Sequence, residues 1–224
     1  DLKAFKDFLQ NLSNNYDIDW LTAMDFINLQ PEPAFENEIN KDTIQDIAKS
    51  FTNQISFYKI DDYYLSPIQG GAILADFLLT QANEGYFPAS LNLPEPIYFP
   101  EEIKDQTIDL TLNRIGWTEL VNGARYFMKQ VKKTNTFPVS IKASPNLWIS
   151  PEQLIGGLAQ AIVTMTIDNI PQDRVILPQT RLQTKDYVKP IDQVQWSWPI
   201  FKENFQNQKV IDYSQLLTWT LRPV

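Results

Sequence analysis

Apolar positions recur at helical spacing along much of the chain. Leu2, Phe5, Phe8, Leu9 and Leu12 fall on one face of a helix over 1–14. Residues 16–29 hold Trp20, Leu21, Met24, Phe26 and Ile27 and read as a buried helical segment that Pro31 and Pro33 end. Residues 34–41 read as a polar connection. Asp42 is placed to cap a helix running to about Phe57, with Ile44, Ile47, Ala48, Phe51 and Ile55 inward. Leu120, Ala124, Phe127, Met128 and Val131 predict a further helix over 117–133, and Lys129, Lys132 and Lys133 gather near its C-terminus, where cations suit the helix dipole. Over 107–115, Ile108, Leu110 and Leu112 alternate with polar neighbours, which fits a strand or the start of that helix. From 168 to 209, Pro171, Pro178, Pro190 and Pro199 break short apolar runs such as Val175–Leu177, so loop with brief strands is expected. The Pro-rich segment 168–224 is expected to pack on the core, through the apolar and aromatic run Tyr213–Leu221.

The stretch 147–165 organises the rest. Leu147, Trp148 and Ile149 read as a short strand; Ser150 caps a helix, Pro151 takes its first position, and Leu154, Leu158, Ala161 and Ile162 form its stripe. The same order of types stands at 63–79, where Tyr64, Leu65, Ser66, Pro67 and Gln69 match Trp148, Ile149, Ser150, Pro151 and Gln153 without a gap. Gly70–Gly71 and Gly156–Gly157 lie inside these helices, out of register with each other. No Lys-Ser/Thr follows them, so close helix packing explains them better than a phosphate loop. A second self-match lays Ser66–Leu91 over Gly116–Ile141, with Phe87–Pro88 on Phe137–Pro138 and Ile97–Tyr98–Phe99 on Leu147–Trp148–Ile149. Two pseudo-repeats, at about 63–103 and 116–165, are expected inside a single domain over 1–224.

Composition narrows the function classes. The chain has 224 residues, enough for one sizeable core. A formal net charge of −8 argues against a nucleic-acid surface and against attraction to anionic lipid. There is no Cys and no His, which removes thiolate nucleophiles, Cys/His zinc sites, Ser–His–Asp triads and imidazole acid/base chemistry together. No apolar run reaches the length of a membrane span. The sequence begins at Asp1 rather than Met and is read as a mature product or an excised domain.

Carboxylates and aromatics are left to carry chemistry. Asp17/Asp19, Asp61–Asp62 and Glu101–Glu102 cluster, but no spacing demands the opposed pair a glycosidase needs, and solvated acids explain them better. Around Asp17–Asp19 the calcium-loop order and its late Glu are missing. The 6 Trp, 9 Tyr and 13 Phe suit sugar recognition, in which ring faces stack on pyranose C–H faces and amides meet hydroxyls. Trp196 and Trp198 would face the same way in an alternating segment. Trp148, Tyr64 and Tyr98 hold matching places in the aromatic strands and serve as core or binding face. Trp117, at the start of its helix, completes the candidate ligand-binding set. No catalytic residue, metal ligand or cofactor is assigned.

Residues 117–165 resemble a pseudomurein-binding repeat, a short unit of archaeal surface and cell-wall proteins. The parts that carry the resemblance are Ala124, Tyr126, Phe127 and Val131 in the first helix, then Phe137–Pro138–Val139, then the Ser-led helix opening at Ile149–Ser150–Pro151–Glu152–Gln153–Leu154. Ser66–Ile103 looks like a more divergent copy. The family's Asn-Tyr after Leu-Pro is missing, and 1–40 and 168–224 have no counterpart. The resemblance implies non-covalent attachment to a cell-wall polymer, with catalysis left to other domains. The expectation is therefore an α+β fold, predominantly helical, with short two-stranded ribbons. Its expected function is a non-catalytic cell-wall or glycan-binding module of an exported or surface protein, the accessory part of a longer enzyme. The partner is a wall polymer or polysaccharide, with no nucleic acid and no membrane insertion. A carboxylate-dependent glycan hydrolase and a protein-interaction scaffold are the alternatives.

Overall fold

The computed structural model describes Lys6 and residues 38–100, 106–168, 171–194 and 205–222. Through-space contacts divide the chain into Asp1–Ala34 and Phe35–Val224, and every element below belongs to the second unit. The helices predicted over 1–14 and 16–29, the Asp17/Asp19 and Glu101–Glu102 clusters, and Trp196 and Trp198 lie outside the described residues.

The fold is α+β and predominantly helical, and among the described residues the strands form two-stranded antiparallel ribbons. In chain order the elements are β1 (Glu38–Asn40), α1 (Lys41–Asn53), β2 (Tyr58–Ile60), β3 (Tyr63–Leu65), α2 (Pro67–Glu84) and β4 (Ser90–Asn92). Then come β5 (Arg114–Gly116), α3 (Trp117–Thr134), β6 (Ile141–Ser144), β7 (Leu147–Ile149), α4 (Pro151–Asp168) and β8 (Arg174–Ile176). Two 3₁₀ turns, Gln183–Tyr187 and Ile191–Gln193, lead to α5 (Gln208–Leu217). β1 pairs with β4 and β5 with β8, while β2–β3 and β6–β7 are hairpins.

Local chemistry explains the helix starts. Ser66 Oγ accepts from Gln69 N at 3.3 Å and Gln69 Oε1 accepts from Ser66 N at 3.1 Å, a reciprocal capping box with Pro67 at the first helical position. Ser150 and Gln153 do the same at α4, with distances of 3.2 and 2.9 Å. Both glutamines are buried, so their remaining amide protons need partners. Gln69 Nε2 donates to the Pro94 carbonyl at 3.2 Å, and Gln153 Nε2 donates to the Asp109 carbonyl at 2.7 Å. Each box thus ties a helix start to a distant loop.

One hydrophobic core runs through the unit. α1 packs on α4, α3 packs on α2, and α2 and α4 pack on each other. The glycine pairs allow the close approaches. A Cβ at Gly70 would stand 2.7 Å from the Phe51 ring, and one at Gly71 would collide with the Ile155 side chain. Gly157 similarly makes room for Leu177 and Leu120.

Two expectations are corrected. Of the run 107–115 only its end is a strand, in β5; over 108–112 Asp109 Oδ1 accepts from Thr111 N at 2.9 Å and Leu112 N donates to the Asp109 carbonyl, a local turn that outcompetes the alternating pattern. Leu110 is accordingly 70% exposed. The connection before α1 ends in a strand, β1, because Ile39 is buried opposite Leu91 of β4.

Candidate functional site

Period-two alternation places the hairpin aromatics. In β2–β3, Tyr58 pairs with Leu65 and Ile60 with Tyr63 on the core side, so Lys59 and its partner Tyr64 point outward. In β6–β7, Ile141 and Ile149 are buried, so the pair Lys142 and Trp148 points outward. Lys59 Nζ sits 5.6 Å from the Tyr64 ring centroid, and Lys142 Nζ sits 5.7 Å from that of Trp148, within cation–π range. Both lysines are exposed and both rings are half-buried. Tyr126 of α3 meets Trp148 edge to face, with centroids 5.9 Å apart and planes at 86°, which fixes the indole's orientation.

The other predicted residues scatter. Tyr98 is 48% exposed and forms a parallel bridge to Thr136. Trp117 opens α3, half-buried against the core, and donates its backbone N–H to the Asp173 carbonyl at 3.0 Å. None of Tyr64, Tyr98, Trp117 and Trp148 lines either principal groove found among the described residues.

The larger groove, about 1170 Å³, lies at the start of α4. Its volume lies at the upper end of the range of ligand-sized clefts. Its walls come from the 108–112 loop, the capping box of α4, residues 178–182 and α5; Gln179, Thr180, Arg181, Tyr213 and Gln215 line it. Gln179, Thr180 and Arg181 went unnoticed in the sequence because they sit in a Pro-broken stretch, and Tyr213 and Gln215 because their run reads as core packing. The available signal was the dipeptide Leu177–Pro178, which repeats Leu93–Pro94 at the same spacing of 84 residues that relates Tyr64 to Trp148. A smaller groove of about 300 Å³ runs between α2 and α3, lined by Ile73, Leu93, Ile97, Met128 and Val131, with the Asp76–Lys132 ion pair at its edge.

Carboxylates in the large groove are engaged. Glu152 pairs with Lys185, and Asp212 accepts from Gln208 Nε2 at 2.9 Å. Asp61 and Asp62 form the exposed turn of the first hairpin, with Asp61 at φ 50°. No group of three metal-ligating side chains occurs among the described residues. The Thr111 hydroxyl, 2.6 Å from Asp109 Oδ1, and the Thr111 amide hold the Asp109 carboxyl below its ordinary value of 3.8, because both donate to the ionised form. A depressed folded value gives order that is present above the ordinary carboxylate value and lost as pH falls through the depressed one. The Thr111 amide resonance is expected to titrate below pH 3.8, and Thr111→Val to move that midpoint upward. An unchanged midpoint in the variant would break the assignment.

No family model matches the chain, and no curated protein matches it.

Proposed function

We propose that the chain is a non-catalytic cell-wall or glycan-binding module of an exported or surface protein, built of two structural repeats and serving as the accessory part of a longer enzyme. The observation that carries this reading is the outward Trp148 ring, fixed by Tyr126 and flanked by Lys142. A rigid aromatic plane loses little entropy when a sugar ring stacks on it, and a neighbouring ammonium suits an anionic group on the same glycan. The large groove alongside α4 is lined by Gln179, Thr180 and Gln215, whose amides and hydroxyl are of the kinds that pair with sugar hydroxyls.

A glycan hydrolase would need a free general acid opposite a second carboxylate. Glu152 and Asp212 are the carboxylates lining the large groove among the described residues, and both are engaged by amide or ammonium donors, which favours binding over hydrolysis. The test is retention of the purified full chain on insoluble pseudomurein and peptidoglycan sacculi, with reducing ends measured in the supernatant. Retention without new reducing ends is expected. Failure to sediment with any sacculus would end the binding reading, and a rise in reducing ends would replace it with hydrolysis.

A further inference from the structure

The order β–α–β–β–α–β occurs twice, with the same pairing of strands each time. Residues of β1–α1 correspond to those of β5–α3 at a spacing of 76, the distance from Glu38 to Arg114: Ile39 matches Ile115, Ile44 matches Leu120, Ala48 matches Ala124 and Phe51 matches Phe127, and all eight are buried. In the first hairpin strands the spacing is 83, the distance from Lys59 to Lys142; after an irregularity between Lys142 and Ser144 it becomes 84, the distance from Tyr63 to Leu147, and holds as far as Pro94 and Pro178. Packing between the halves is reciprocal. The first helix of each half lies on the second helix of the other. Between α2 and α4, Gly71 faces Ile155, its own counterpart at a spacing of 84. Counterparts facing one another is what a twofold axis requires.

We infer that Glu38–Asn92 and Arg114–Ile176 are copies related by an internal twofold, and that the module carries two corresponding glycan-contact faces, Lys59–Tyr64 and Lys142–Trp148, which engage a wall polymer together. The inference rests on the wall-binding reading above. Core positions recur because both halves must bury the same faces. An outward Lys–aromatic pair is not required by burial, yet it stands at the same cross-strand position of both hairpins. Each face offers a ring for stacking and an ammonium for a carboxylate or other anionic group of the strand. Two linked sites raise the avidity for a polymer without any new contact.

The test is a binding isotherm of the full chain on pseudomurein and peptidoglycan sacculi, with cellulose as the uncharged control. Three variants are compared with the wild type: Lys59→Ala/Tyr64→Ala, Lys142→Ala/Trp148→Ala, and all four changes together. Removing either face is expected to weaken retention on sacculi by about 10- to 100-fold and by similar factors, as loss of one of two linked sites does. The fourfold variant is expected to stay in the supernatant while its circular dichroism remains native. Binding that depends on one face alone overturns the inference. So does retention indifferent to both faces, which leaves the wall-binding reading intact with its site elsewhere. A wild type retained on no sacculus overturns both. Conservative Tyr64→Phe and Trp148→Phe changes keep the ring and are expected to keep most of the retention.

Discussion

Exchanging the two side chains that meet between α2 and α4 should cost far less than changing either one. Gly71→Ile alone puts two isoleucines where the backbones leave room for one, because even a Cβ at Gly71 collides with Ile155. Overpacking of this kind costs about 1–3 kcal/mol and more where helices cannot separate. Ile155→Gly alone empties a fully buried position and adds a helical glycine, together about 3–6 kcal/mol. In the double variant the volume at the contact returns and the helix propensities cancel. If the two positions are counterparts across an axis, each receives a side chain suited to its partner's shape. A coupling energy of about 2–3 kcal/mol is expected from the double-mutant cycle, read by urea denaturation. Strictly additive losses would show that the two positions are not interchangeable and would remove the twofold. If Gly71→Ile does not accumulate as folded protein, Gly71→Ala with Ile155→Ala gives the same cycle at smaller amplitude.

The glycines that stand out of register in the self-match each face a large partner of their own. A Cβ at Gly70 would meet the Phe51 ring and one at Gly157 would meet Leu177, while Leu154, which takes the place of Gly70 in the self-match, lies 3.3 Å from where a Gly123 Cβ would stand. Each glycine answers its local neighbour rather than a shared sequence pattern.

What was legible in the sequence is what local chemistry decides. Asn40 Oδ1 caps α1 by accepting from Thr43 N, two positions ahead of the predicted Asp42, because the helix begins at Lys41. The Ser-Pro-x-Gln starts of α2 and α4 form as their residue types require. The strand β1 was not legible, because it is set by a partner dozens of residues away and carries a single buried apolar side chain, whereas β8 falls on the run Val175–Leu177, β4 follows the Phe87–Pro88 turn, and β5 overlaps only the end of the alternating run over 107–115. The same distance hid the true mate of β4. The 50-residue self-match lays Leu91 on Ile141, but β4 pairs with β1 while β6 pairs with β7 in a hairpin. Tyr64 and Trp148 were readable as a matched pair, yet only strand register decides that they face outward. The large groove was invisible because its walls come from four separated segments.

The second large effect is expected at Trp219. Its side chain is 2% exposed and its ring lies 6.0 Å from that of Phe137. Its carbonyl accepts from Ile68 N at 3.1 Å, satisfying one of the backbone donors that the start of α2 leaves open. The neighbouring Thr218 carbonyl accepts from the fully buried Thr184 hydroxyl at 2.9 Å. The segment after α5 is thus held by burial and by two hydrogen bonds to different elements. Trp219→Ala should destabilise the unit by about 3–5 kcal/mol, as large-to-small changes of buried aromatics do. Trp219→Phe should cost about half as much, since a ring still fills most of the space. Hydrogen exchange separates two mechanisms. If the segment is part of the cooperative core, the alanine variant lowers protection uniformly, from the Ile68 amide to the centre of α2. If it docks as an independent flap, protection falls at Ile68 and near Thr184 while Leu74 and Leu78 exchange as in the wild type. Uniform loss is expected, because Trp219 belongs to the same hydrophobic cluster as Phe137, Leu74 and Leu78. Trp219 also lines the large groove beside Leu216, so the alanine variant opens that wall while leaving the hairpins untouched.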